Sequence, residues 1–311
     1  MELHIPIFCA TDENYAPFAS MMMKSVLMHT HSFVDFYVLD GGIKKKTKRM
    51  IARDLKAYPH KSITYFDMAQ YDLSQFPDMA HFSVNTFSRY FIPELVPHLE
   101  KIIYLDVDMT IKKDIKELFD QDLDGYPLGA MAHTPTTFMS RRLRDCTWSV
   151  YHEDSAYFNA GMLVMNIPKL IQMNFTDEAI KLTHLLREKL IFPDQDVLNI
   201  MFENNYKILD FRFNYVNYIR WRKEIRNIDP VVVHHCSLKP WKENSIYQQD
   251  FEDILQQSVF YDHVFKTYRS HKVRYYLFGK IPLCTKYVPK AIFLNQSFFD
   301  RSQVIKEIEY V

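Results

Sequence analysis

Residues 101–110 read KIIYLDVDMT: a lysine, an apolar run from Ile102 to Leu105, then Asp106 and Asp108 two apart. Four consecutive apolar residues bounded by polar ones predict a short buried strand. Side chains alternate across a strand, so both aspartates reach one ligand only where the chain turns at its end. Two chemistries use such a pair here. One is the nucleophile and acid of a phosphatase of the haloacid dehalogenase type, and the other is a metal bridge to a nucleotide diphosphate.

Outward from this stretch, further strand-like runs recur at HIPIFCA (4–10), FYVLD (36–40), SITYFDM (62–68) and LGAMAH (128–133). Helical patterns separate them. Tyr15 to Met28 carries Phe18, Met22 and Val26 at helical spacing with Pro17 in the first turn. Residues 43–59 place Ile43, Met50, Ile51 and Leu55 among lysines. Alternation of this kind predicts an α/β fold, a mostly parallel central sheet flanked by helices. In open sheets of that class ligands bind beyond the carboxyl ends of the strands. Both CATDENY after the first strand and DVDMT after the fourth fall there. Shorter elements follow at 157–167, 177–189 and 192–205, and then VVVHHC (231–236) ends in two histidines.

Composition narrows the function classes. Lysine plus arginine equals aspartate plus glutamate at 38 each in 311 residues, so no global field recruits nucleic acid. Cys9, Cys146, Cys236 and Cys284 form no C-x-x-C pair, which argues against a zinc ribbon or a disulfide scaffold. The first residues carry no signal-peptide pattern, and no apolar run approaches the roughly 18 residues of a membrane span. A cytoplasmic protein is the expectation. Only six glycines occur, too few and too scattered to write either glycine-rich phosphate loop. Phosphate charge would then be met by a metal and basic side chains.

The phosphatase reading needs a later Gly-Asp or similar acidic cluster, and no Gly-Asp dipeptide exists; its nucleophile also usually follows the first strand, whereas this pair follows the fourth. The metal reading has its parts. His234 and His235 end an apolar strand, with Lys239, Pro240 and Trp241 beyond. An imidazole added to two carboxylates makes a mixed nitrogen and oxygen set that suits manganese, with magnesium second. Lys239 adds a compact charge for a diphosphate.

In order, ATDENYA (10–16), YLDVDMT (104–110), YFNAGMLVMN (157–166), FPDQDVLN (192–199), FRFNY (211–215) and HHCSLKPW (234–241) resemble the family 8 glycosyltransferases. That family includes bacterial lipopolysaccharide galactosyl- and glucosyltransferases and, more distantly, glycogenin. The resemblance implies a GT-A catalytic domain over residues 1–245, a UDP-sugar donor, Mn2+ and retention of anomeric configuration. It implies a uridine site of Asp12, Asn14 and Tyr15 with backbone contact from Ala10. Asp106, Asp108 and His234 match the metal ligands, Val107 the ribose contact, and Lys239 the diphosphate lysine. Arg89, Asn159 and Ala160 match donor-sugar positions. Asp194, Gln195 and Asp196 match the catalytic segment beneath the transferred sugar.

Two departures stand out. Ser237 replaces the glycine of the family's H-x-x-G-x-x-K-P-W and the loop is one residue shorter, which leaves open the choice between His234 and His235 and admits a UDP-sugar-binding protein with a degenerate site. His133 stands where the family often has an acid. Residues 246–311 form the second expected unit. Between Tyr261 and Lys290 lie seven lysines or arginines, two histidines and one acidic residue, interleaved with Tyr268, Tyr275, Tyr276, Phe278 and Tyr287. A stretch like this suits an anionic lipid surface or a lipid-linked glycan acceptor, and equally a helix with a solvated basic face.

Overall fold

A computed structural model describes residues 3–77, 83–132, 155–216, 228–236, 239–241 and 247–264. The run from Lys101 to Leu105 is a strand, as its apolar composition predicts, and it lies at the centre of a sheet. In chain order the strands are β1 (His4–Thr11), β2 (Phe33–Asp40), β3 (Lys61–Asp67), β4 (Lys101–Leu105), β5 (Met109–Ile111), β6 (Leu128–Ala132), β7 (Phe158–Asn166), β8 (Lys207–Ile208), β9 (Tyr215–Val216) and β10 (Val232–His234). The main sheet runs β3-β2-β1-β4-β7-β6-β8, and a second, small sheet runs β5-β10-β9.

β1, β2, β3 and β4 pair in parallel, while β7 runs antiparallel to both β4 and β6. The central sheet is therefore mostly parallel, as expected. The antiparallel β7 was not legible: its burial is nearly continuous, and such a run carries no direction. Its reversal has a functional consequence. The start of β7 lies at the same edge as the ends of β1 and β4, because Met162 pairs with Leu105.

Alternation puts the two faces of β4 into two cores. Ile103 and Leu105 join Ile5, Ile7 and Cys9 under α1 (Ala16–His29) and α2 (Lys45–Asp54). Ile102 and Tyr104 face Phe8 and the side covered by α3 (Phe175–Leu186) and α4 (Pro193–Met201). Ile102, Ile103 and Leu105 are fully buried, each contributing about 1.5–3 kcal/mol of transfer free energy. That burial anchors the turn that follows.

The chain ends its described part with α5 (Gln248–Gln256), whose Phe251, Ile254 and Leu255 join the first core. A buried polar clasp ties it down. Lys24 Nζ lies 2.7 Å from both Asp54 Oδ1 and the Gln257 carbonyl. Asp54 also accepts from Ser20, Ser258 and the Val259 amide. Cys9 and Cys236 are free thiols among the described residues. No described helix is long and apolar enough to cross a membrane. Ser237, His133, Cys146, Cys284 and the basic stretch beyond Val264 lie outside the described residues.

Candidate active site

Strand β4 stops at Leu105, and the chain turns through Val107 and Asp108 before β5 begins at Met109. This is the turn that two aspartates on one ligand require. The Asp106 amide donates to the Gly161 carbonyl at 2.8 Å, extending the β4–β7 pairing to the edge itself. Asp108 is buried and Asp106 keeps about a third of its side chain exposed.

The second sheet brings the histidine. His234 pairs with Met109 across β10 and β5, one residue past Asp108. Its Nε2 lies 3.3 Å from Asp108 Oδ1 and 3.9 Å from Asp106 Oδ2. The three side chains offer ligand atoms all within 4.8 Å of one another. Two carboxylates and an imidazole form a donor set for a divalent cation. Gly161 completes the cradle: a Cβ there would lie 2.4 Å from His234 Cε1 and 2.7 Å from Asp106 Oδ2. The residues present therefore fit a metal.

His235, next in the chain, faces away. Its amide donates to the Asp108 carbonyl at 2.9 Å, and its Nε2 lies 3.0 Å from Thr110 Oγ1. Burial pushes its pKa down to about 3, so it is a neutral core histidine. Of the two histidines, His234 is the one that turns a ring nitrogen toward both carboxylates. Lys239 makes a close ion pair with Asp108. Burial alone would raise the Asp108 carboxyl, but Lys239 and His234 outweigh it and hold it well below the usual carboxylate range. Burial raises Asp106, with Asp108 adding to it, against the pull of Arg89 and His234. The pair thus splits, the deeper carboxylate being the better held as an anion.

Comparisons with known proteins place the chain in a family and identify its fold. The family model for glycosyl transferase family 8 matches residues 6–245. The chain belongs to glycosyltransferase family 8. It is 27% identical over 247 residues to glycosyltransferase GlyF of Streptococcus pneumoniae, covering 77% of this chain and 58% of that protein. It is 26% identical over 262 residues to general stress protein A of Bacillus subtilis, covering 78% of this chain and 88% of the other. A crystal structure of the galactosyltransferase LgtC in complex with donor and acceptor sugar analogues superposes with a TM-score of 0.72 at 23% identity, covering 82% of this chain and 96% of that one. The fold is GT-A.

Against that family, the remaining expected positions divide into two groups. Around the turn after β1, Asp12 Oδ1 accepts the Asn14 and Tyr15 amides at 2.9 and 3.0 Å, an Asx turn that opens α1. Tyr15 is 41% exposed, its ring near-perpendicular to that of Trp241 at 6.1 Å between centroids. Ala10 and Val107 are half-buried at the same edge.

The second group is interior. Arg89, in the 3-10 segment Val84–Phe91, is only 4% exposed. It reaches Asp194 Oδ2 at 2.9 Å, Asp106 Oδ1 at 3.1 Å and the Ala160 carbonyl at 2.5 Å. Burial would lower its pKa, but Asp194, Tyr104 and Asp106 raise it, so it stays charged. Asp194 also accepts from Thr86 at 2.5 Å. Asp196 accepts the Ile191 and Phe192 amides and the Tyr157 hydroxyl, which fixes the start of α4. Gln195 stands between them, its Oε1 taking the Ala160 amide at 2.9 Å and Asn159 Nδ2 at 3.2 Å.

Sequence reasoning missed Gly161, Tyr157 and Asn214 as parts of this site. Gly161 had a readable signal, since a glycine inside an otherwise bulky strand run marks a close approach. Tyr157 and Asn214 had none beyond their places in YFNAG and FRFNY.

Proposed function

We propose that this glycosyltransferase moves a hexose from a UDP-sugar to a glycan acceptor with retention of configuration. The observation that carries the reading is the Asp106, Asp108 and His234 cluster with Lys239 beside it, at the edge where β1 presents Tyr15. Manganese, with magnesium second, would be held by those three ligands and when bound would supply the positive charge that a diphosphate leaving group needs.

The chain's own residues supply the rest. Tyr15 offers an exposed ring face to uracil, on a turn that Asp12 holds rigid. Val107 and Ala10 offer backbone at the ribose. Lys239, paired with Asp108 beside the cluster, would meet the phosphates with its ammonium and compensate charge as the bond to the sugar breaks. The sugar then becomes oxocarbenium-like, and Gln195 Oε1, pinned from behind by Ala160 and Asn159, presents a fixed dipole to it. Asp194 is held by Arg89 and Thr86 as a buried anion close by. The acceptor hydroxyl attacks the face that UDP leaves and gives its proton to the departing phosphate.

Galactose is the first candidate sugar and glucose the second, by family resemblance. A lipopolysaccharide, lipooligosaccharide or other cell-surface glycan is the proposed acceptor. Residues 1–245 are assigned to catalysis and 246–311 to acceptor or membrane contact. Because α5 is docked on α1, that contact falls to the basic stretch ending at Lys290.

The test is UDP release from a panel of UDP-sugars without acceptor, with Mn2+ and after EDTA. Metal-dependent release from one sugar supports the reading and names the donor. No release together with no UDP binding overturns it, whereas UDP binding without turnover on any acceptor marks a degenerate site. A covalent sugar adduct trapped on Asp194 or Asp196 would replace the same-face mechanism with a two-step one.

A further inference from the structure

One line of hydrogen bonds joins the metal cluster to the catalytic segment. His234 Nδ1 lies 3.0 Å from Asn214 Oδ1. Asn214 Nδ2 donates to Asn159 Oδ1 at 2.9 Å, and Asn159 Nδ2 donates to Gln195 Oε1 at 3.2 Å. Gln195 Nε2 donates to the Tyr157 hydroxyl at 2.8 Å, which donates to Asp196 Oδ1 at 2.7 Å.

The direction of this line is fixed by groups that have no choice. A backbone amide only donates. The Gly161 amide points at Asn159 Oδ1 at 3.0 Å and the Ala160 amide at Gln195 Oε1, so neither side-chain amide can be reversed. Asn214 must therefore present its NH2 to Asn159 and its oxygen to His234. An acceptor facing Nδ1 requires that Nδ1 carry the proton, so the ring nitrogen left for a metal is Nε2, which lies 3.3 Å from Asp108 Oδ1 and 3.9 Å from Asp106 Oδ2. Asn214 is fully buried, so no solvent competes with this arrangement.

We infer that Asn214 is a positioning residue that fixes the tautomer of His234 and, through Asn159, the orientation of Gln195, so that metal ligand and sugar-facing amide are held as one unit. The inference rests on the metal reading of the cluster. Outer partners of this kind typically change metal affinity by about 10–100-fold when removed.

The test uses the full chain, stripped of metal and titrated with Mn2+ alone, the free ion being followed by electron paramagnetic resonance. Asn214→Leu removes both arms and is expected to weaken Mn2+ by about 10–100-fold. Asn214→Asp keeps an acceptor for His234 but cannot donate to Asn159. It is expected to retain Mn2+ affinity while lowering kcat for UDP release, a split that loss of packing would not produce. Wild-type affinity in Asn214→Leu, or equal loss of Mn2+ affinity in both variants, would overturn the inference. Should Asn214→Leu not fold, 15N spectra of histidine-labelled metal-free wild type, with His234 assigned against His234→Gln, decide the matter: a ring carrying a proton on Nδ1 supports it and a ring protonated on Nε2 alone overturns it. Failure of the wild type to bind Mn2+ at all would instead remove the metal reading beneath it.

Discussion

Arg89 Nη2 stands 3.1 Å from Asp106 Oδ1, on the opposite side of the carboxylate from His234. The guanidinium thereby leaves Asp106 Oδ2 on the side of His234, while its Nε, which donates to the Thr86 carbonyl, also lies 2.9 Å from Asp194 Oδ2 as an ion pair. A planar fork can do both at once and an ammonium cannot. One residue in the 3-10 segment orders carboxylates from two distant motifs.

Arg89→Lys should therefore keep the fold and lose turnover, with kcat for UDP release falling on the order of 10–100-fold. Arg89→Ala leaves Asp194 buried without a counter-charge and should cost about 3–5 kcal/mol of stability. Urea unfolding separates the two, because the lysine variant should lose activity well beyond its loss of stability.

Gly161→Ala adds a methyl group that would lie 2.4 Å from His234 Cε1 and 2.7 Å from Asp106 Oδ2. Overpacking of this sort costs typically about 1–3 kcal/mol, and relief here can come only by spreading the ligands. Mn2+ affinity should fall at least about tenfold, measured by titration of the metal-free protein. Unchanged affinity would mean the cradle is not the metal site.

His235→Asn should leave metal affinity near wild type, whereas His234→Asn should abolish measurable Mn2+ binding. The two residues are adjacent in sequence, but His234 Nε2 faces the carboxylates and His235 Nε2 faces Thr110. Reversal of that order would exchange their roles.

How far the sequence reaches follows from the same pair. The apolar run before Asp106 is local, so strand, turn and carboxylate placement were legible in KIIYLDVDMT. The choice of histidine depends on the register of β10 against β5, whose residues lie more than a hundred positions upstream, and no local pattern encodes that. Register also decides which face a side chain occupies. Arg89 was expected near the donor sugar only through family resemblance. Its burial comes from packing against Tyr104, whose ring lies 4.2 Å from the guanidinium carbon. The antiparallel β7 was hidden for a third reason, since a strand buried on both faces reads alike in either direction.

The clasp at Asp54 makes the last prediction, and it concerns how the C-terminal segment is held. Lys24 and Asp54 are both nearly solvent-free, and Asp54 accepts from Ser20 on α1 and from Ser258 and Val259 beyond α5. A buried pair contributes little over an apolar substitute, but removal of one partner strands the other charge. Asp54→Ala should cost about 3–5 kcal/mol in urea unfolding, and the double variant Lys24→Met, Asp54→Leu should recover much of that loss. The cut should also show locally. Hydrogen exchange over residues 247–264 should rise in Asp54→Ala more than over β4, because Ser258 and Val259 lose their acceptor while the central strand keeps its ladder. Uniform exchange across both would mean that the clasp stabilises the whole fold and does not specifically fasten α5, and the docking of the segment would then rest on Phe251, Ile254 and Leu255 alone.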